Sequence, residues 1–297
     1  MVCGILGGFV VYVVFFSAPF SFPDKLLIHI EQGETGQDVA RELKSRNAIR
    51  SEFIFRVVMR LYGDHTRIVA GTYYFPHSQN AFSIAWRLRV GNFNIEPVRV
   101  TVPEGMNVRQ MNVLFSNEIA GFDSDAFLAL ALPQEGYLFP DTYFFYPGES
   151  AEEIVDAMRK NFDARTAIQM PSKDIVIIAS LLEKEAPDTA NRQLIADILR
   201  KRLGMNMLLQ VDAVFPYITG KNGSDILQSD YVIDSPYNTY LYKGLPPGPI
   251  ASPSLDAIIA ATHASSTPYL YYLSDKQGIF HYSSTYEGQL ANQKKYR

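Results

Sequence analysis

The chain has 297 residues, 47% of them apolar, with a formal net charge of -4 and a single cysteine, Cys3. An apolar fraction of this size excludes a disordered chain, and the absence of a basic excess sets nucleic acid aside as a partner. One cysteine excludes an intrachain disulfide and any cysteine-based metal cluster.

The first charged residue is Asp24. Before it runs an apolar segment from Val2 to Phe16, about 16–18 residues with its flank and so near the lower limit for a bilayer-spanning helix. No Lys or Arg precedes it, and Ser17-Ala18-Pro19 is a poor cleavage site. An uncleaved signal anchor over residues 1–20 is expected, ahead of a cleaved signal or a buried helix. Leu26–Ile30 is a β-type run, followed by a turn at Gly33. Val39, Leu43 and Ile49 have helical spacing, and Ser51 is placed to cap a helix carrying Phe53, Val57 and Leu61. Gly71–Phe75 reads as a strand and Ala81–Val90 as a helix, which completes a strand–helix–helix–strand module over 25–92. Val98–Val102 alternates at period two and leads through a glycine turn to a helix with Met111 and Leu114, a short echo of the first module's opening.

Glu135–Gly148 is a dense aromatic segment. Ser150–Phe162 is amphipathic, with Ile154, Met158 and Phe162 on one face. Asp174–Ala186 is a helix stopped by Pro187, and Thr189–Leu203 a second. A loop-rich stretch runs to Pro253, then a helix covers Leu255–His263. Tyr269–Leu273 and Ile279–Tyr282 read as strands of a hairpin turned at Asp275–Gly278. The expected fold class is α+β, with a mixed catalytic domain over 97–297.

Glu183 is the first candidate for chemistry. It lies beside Leu182 on the shoulder of a buried stripe, in the last turn before Pro187. Partial burial and the negative end of a helix both favour the protonated carboxyl that an acid catalyst of glycosidic cleavage needs. Glu185, two residues on, points to a different face and is the rival carboxylate. Gln210 and Asp212 alternate with apolar neighbours and share one face of an extended segment, where they could hydrogen-bond a sugar. Ser235, Tyr237, Asn238, Thr239 and Tyr240 lie on a loop made rigid by proline and glycine, a second candidate substrate surface. The five histidines lack metal-ligand spacing, and no phosphate loop or dinucleotide fingerprint is present, so neither metal nor cofactor is expected.

Several segments in one order resemble the YceG-like family of endolytic murein transglycosylases. They are ASLLEKEA at 179–186, MLLQVD at 207–212, SPYNTY at 235–240, GLPPGPI at 244–250 and YLYY at 269–272, with EGYLFPDTY at 135–143. The likeness covers nearly the whole chain. Two positions depart from the family pattern: Lys201 stands where Asn is usual before Arg202-Leu203, and Gln289 stands where a histidine is usual. The resemblance implies a membrane anchor, a LysM-like module at 25–92 and a catalytic domain. It implies cleavage between N-acetylmuramic acid and N-acetylglucosamine to a 1,6-anhydro end, with Glu183 as acid and then base. Peptidoglycan strands would be the substrate, at the outer face of a bacterial inner membrane, in company with cell-wall synthases. A hydrolytic muramidase using Asp212 or Asp141 as second carboxylate, and a non-catalytic wall-binding scaffold, are the alternatives.

Overall fold

The computed structural model describes residues 16–31, 33–62 and 68–296. The anchor expected at the start of the chain lies outside them almost entirely, and among the described residues no helix is long and apolar enough to cross a membrane. The architecture is mixed α+β, in two compact units.

The first unit runs to Arg99 and includes Ser116–Phe122 and Phe144–Glu149. Strand β1 (Leu26–Ile30) pairs antiparallel with β2 (Gly71–Phe75), Leu26 opposite Phe75 and Ile30 opposite Gly71. Leu26, Ile28 and Ile30 are buried while His29 between them is exposed, the period-two pattern of a one-faced sheet. Helix α1 (Gly36–Ser45) starts at a capping box: Asp38 N–H donates to Thr35 Oγ1, and Thr35 N–H donates to the Asp38 carboxylate, both at 3.3 Å. Helix α2 (Glu52–Leu61) is capped by Ser51 as its sequence indicates. With α3 (Ala81–Val90) these helices bury Leu43, Phe55, Val58, Ile84 and Leu88 against Tyr73 and Phe75. Arg87 enters this core because its charge is satisfied. Its guanidinium sits 4.4 Å above the Phe75 ring and donates to Tyr74 O at 2.8 Å.

The second unit comprises Val100–Phe115, Asp123–Tyr143 and Ser150–Arg297. Strand β3 (Val98–Thr101), of which Val100 and Thr101 belong to this unit, pairs with β4 (Thr142–Phe145), of which Thr142 and Tyr143 do. Helices α4 (Val108–Glu118), α5 (Ser124–Ala131) and α6 (Ala151–Arg165) precede the helices that form the centre of the unit. These are α7 (Lys173–Glu185), α8 (Thr189–Gly204) and, after the short α9 (Val214–Thr219), α10 (Leu255–Thr262). Ala179, Leu181 and Leu182 of α7 are buried with Ile195 and Leu199 of α8 and Ile258 and Ala261 of α10. Strands β5 (Tyr271–Ser274) and β6 (Phe280–Ser283) form the expected hairpin, Tyr271 opposite Ser283. Helix α11 (Tyr286–Tyr296) follows; its only buried residue is Gln289, so no apolar stripe announces it.

One buried acid in this unit sets a pH dependence. Both oxygens of Glu135 accept from Val108 N–H at 3.2 Å, at the first turn of α4. Burial pushes this carboxyl up to about 7, against the lowering pull of the Val108 bond and Arg109. A carboxyl raised in the folded state contributes stability that is full below its unfolded value and is lost as pH rises through 7. Glu135→Gln keeps an oxygen for Val108 and carries no charge. The expected result is that the variant melts above wild type at pH 8, by about 2–3 kcal/mol of stability at most, and level with it at pH 4. Thermal melts at both pH values check this, and a constant gap would contradict it.

Candidate active site

The two glutamates at the end of α7 part ways. They are two residues apart, so their side chains leave the helix about 200° from one another. Glu183 turns inward, its side chain 6% exposed and that of Arg192 7%. Arg192 Nη2 donates to Glu183 Oε1 at 2.9 Å. Ser254, the cap of α10, gives Glu183 Oε2 both its backbone N–H at 2.9 Å and its hydroxyl at 2.5 Å. Arg192 also donates to Ala186 O at 2.9 Å and to Asp256 at 2.8 Å. Glu183 therefore joins α7, α8 and the positive end of α10, where a carboxylate is favoured. The shoulder of the buried stripe that carries Glu183 faces α8 and α10. Glu104 lies close by, a neighbour the sequence did not signal. Its carboxyl is raised by burial first and then by the charge of Glu183.

Glu185 turns the other way, into a cavity of about 260 Å³ that it lines with Arg202, Gln210, Asp212, Tyr240 and Tyr272. Tyr272 hydroxyl donates to Glu185 Oε2 at 2.9 Å, and Ala213 N–H donates to Oε1 at 3.2 Å. Burial, and then the charge and hydrogen bond of Glu185, hold the Tyr272 hydroxyl protonated far above its ordinary range, so it remains a donor. Across the cavity Tyr240 hydroxyl donates to the Asp212 carboxylate. Burial and the bond to Asp212 raise Tyr240 in the same way. Arg202 is 5% exposed and fixed by backbone carbonyls: Leu270 O at 2.8 Å and Leu209 O at 2.8 Å. Gln289 Nε2 donates to Tyr272 O at 3.0 Å and so braces the strand that carries the tyrosine.

Of the substrate-facing residues expected from the sequence, Gln210, Asp212, Tyr240 and Glu185 meet at this cavity. Ser235, Tyr237, Asn238 and Thr239 do not line it. A loop without a strand ladder must satisfy its own backbone, and these side chains do so. Asn238, fully buried, donates to Tyr231 O and Ile233 O at 3.0 and 2.9 Å. Ser235 Oγ accepts from Tyr237 N–H at 3.3 Å, and the Tyr237 ring packs 5.0 Å from Tyr217. Asp141, a candidate second carboxylate, is paired with Arg165 at 2.7 Å and held low by Asn161, the Thr142 N–H and Arg165; it does not line this cavity. Tyr271, Tyr286 and Gln293 line the cavity without having been picked out.

Thr239 has a specific task. Gln210 has φ +51°, a left-handed conformation that is strained for a residue with a side chain. Gln210 N–H donates to Thr239 O at 3.1 Å, and Val211 N–H donates to Thr239 Oγ1 at 2.9 Å. Thr239→Val leaves the buried Val211 N–H without a partner, at a cost of about 1–3 kcal/mol. The expected result is a lower melting point with a fall in turnover, since Gln210 and Asp212 lose their support. A variant with wild-type melting and turnover would contradict it.

Among the described residues no group of three or more His, Cys, Asp or Glu side chains could hold a metal ion. The arrangement offers a carboxyl with two donors, a second carboxylate and an aromatic wall, a set suited to acid–base chemistry on a carbohydrate.

Comparison with known proteins matches residues 28–295 to the model of the YceG-like family. A Bacillus subtilis protein named endolytic murein transglycosylase is 30% identical over 329 residues, covering 98% of this chain and 91% of its own. A Streptococcus pneumoniae protein of the same name is 28% identical over 88% of this chain, which spans 56% of that relative's length. A crystal structure of a YceG-like protein from Listeria monocytogenes superposes with a TM-score of 0.61 at 27% identity, over 90% of this chain and 99% of that one.

Proposed function

The chain belongs to the YceG-like family, and from this premise we propose that it is an endolytic murein transglycosylase whose acid and base is Glu185. The observation that carries the assignment is the Glu185 carboxyl in the cavity, held by Tyr272 and Ala213 and facing the wall that bears Asp212.

Glu185 in its protonated form gives its proton to the bridging oxygen as the bond from muramic-acid C1 breaks. The positive charge that develops at C1 is stabilised by the Asp212 carboxylate lining the same cavity. Glu185, now ionised, takes the proton of the same sugar's C6 hydroxyl as that oxygen bonds to C1. The acid is restored, no water is consumed, and the product is a 1,6-anhydromuramoyl end. Tyr272 and Ala213 fix the carboxyl between the two steps, so one group serves as acid and then as base. The cut falls within the strand, which accords with termination or release of nascent strands.

The apolar segment from Val2 to Phe16 is proposed as an anchor in the inner membrane, on its composition alone. The module of β1, α1, α2 and β2 is proposed as LysM-like, on its strand–helix–helix–strand order, and cell-wall synthases are proposed partners on the family resemblance. A hydrolytic outcome is the second reading, because Asp212 shares the cavity and could activate water. Product mass separates the two. Fragments of purified murein carrying ends lighter by one water support the transglycosylase, and reducing ends assign a muramidase.

A further inference from the structure

The cavity around Glu185 is one end of a longer groove. A space of about 570 Å³ shares Glu185, Asp212 and Ser274 with it and extends past Lys184 and Lys221. A further space of about 360 Å³ shares Gln110, Lys184, Lys221 and Asn222 with that extension and adds Asn107 and Arg109. The charge changes along the way. The end at Glu185 has two carboxylates and one cation, Arg202, which is fixed on backbone carbonyls, whereas the last space has three cations and three amides on its wall and no carboxylate. This segregation occurs in a chain of net charge -4.

The cations are not equivalent. Lys221 is neutralised by Asp230 at 2.8 Å. Among the described residues, Lys184 Nζ donates to Gly105 O alone, at 3.2 Å. Arg109 is exposed, stands 5.9 Å from the Tyr217 ring, and like Lys184 makes no ion pair among the described residues. The charge of Arg109 also acts on Glu135, which is buried and turned onto Val108 N–H. Two cations without an ion pair among the described residues, one a planar guanidinium suited to carboxylate or phosphate, thus border the groove that leads away from Glu185.

Resting on the murein reading above, we propose that this end of the groove is a subsite for an anionic group carried by the glycan strand. Where a stem is attached, the muramic lactyl carboxyl is an amide and carries no charge. The strand's anions come from two sources: the carboxylates of stem peptides on the muramic lactyl groups, and the pyrophosphate that ties a growing strand to its lipid carrier. The subsite makes the enzyme a reader of what the strand carries as well as of its sugars.

The test uses the purified full-length protein and three uncrosslinked substrates: lipid-linked strands with stems, the same strands released from lipid, and released strands whose stem carboxylates have been converted to neutral amides. Wild type is expected to favour anion-bearing strands in kcat/KM by about tenfold or more, through KM. In Arg109→Gln/Lys184→Gln that preference collapses, while Lys243→Gln, an exposed charge outside the groove, retains it. A loss on amidation identifies the stem carboxylates, and a loss on release from lipid identifies the pyrophosphate. Equal kcat/KM on all three substrates, or a double variant that loses as much on amidated strands as on charged ones, overturns the proposal. Binding of the same strands to Glu185→Gln, compared at low and high salt, reads the subsite without cleavage. If wild type cuts none of the strands while this variant still binds anion-bearing strands more tightly at low salt, the murein chemistry fails and the subsite stands.

Discussion

Arg192→Leu is expected to lower the stability of the protein more than any other single change considered, by about 3–5 kcal/mol. The substitution leaves the Glu183 carboxylate, whose side chain is 6% exposed, with no cation. It also removes donors from Ala186 O, Ser254 Oγ and Asp256, so α7, α8 and α10 lose their shared polar tie. An uncompensated buried charge costs more than a missing pair. Glu183→Gln combined with Arg192→Leu should therefore recover part of the loss, because no charge is left stranded. Thermal and urea melts of the two proteins give the comparison. A double variant less stable than Arg192→Leu would show that the tie acts through packing and not through charge.

Glu185→Gln is expected to lower murein cleavage by about 10³-fold or more. Acid–base catalysis by a positioned group contributes about 10²–10⁴-fold per step, and Glu185 serves in both steps. The substituted amide keeps one oxygen to accept from Ala213 N–H, and its NH2 can donate to the Tyr272 hydroxyl oxygen, so the cavity wall and the melting point should stay close to wild type. The expected signature is thus lost turnover with KM held within about threefold, the pattern of an interaction made only in the transition state. Normal turnover in this variant would remove the residue from the chemistry.

How far these features could be read from the sequence differs from element to element. The bounds of α7 follow from Ser172 as cap and Pro187 as stop, and β5 and β6 from their aromatic alternation around a glycine turn. The same helix pattern shows that Glu183 and Glu185 face different ways. It does not show which way the cavity lies, because the wall opposite Glu185 is built by Tyr272, nearly ninety residues on, and by Asp212. Burial next to Leu182 is legible in the sequence, but the partners of Glu183 on that side of α7, Arg192 of α8 and Ser254 at α10, are not. The 235–240 loop is ambiguous for a related reason. Polar residues dense enough to bind a sugar are also what a loop needs to bond its own backbone, and Asn238 and Thr239 are spent there. Helix α11 has no apolar stripe at all; it is fixed by contacts such as Gln289 to Tyr272 O, which no local pattern encodes.

The central claim is that Glu185, and not its neighbour two residues before, performs the chemistry. The most direct measurement is the release of anhydro-ended fragments from one murein preparation by wild type, Glu183→Gln and Glu185→Gln, below the melting points of all three. Measurable release by Glu183→Gln, with its loss explained by lower stability, and none above background by Glu185→Gln is the result expected. Release by Glu185→Gln together with none by a folded Glu183→Gln would contradict it and return the acid–base role to Glu183.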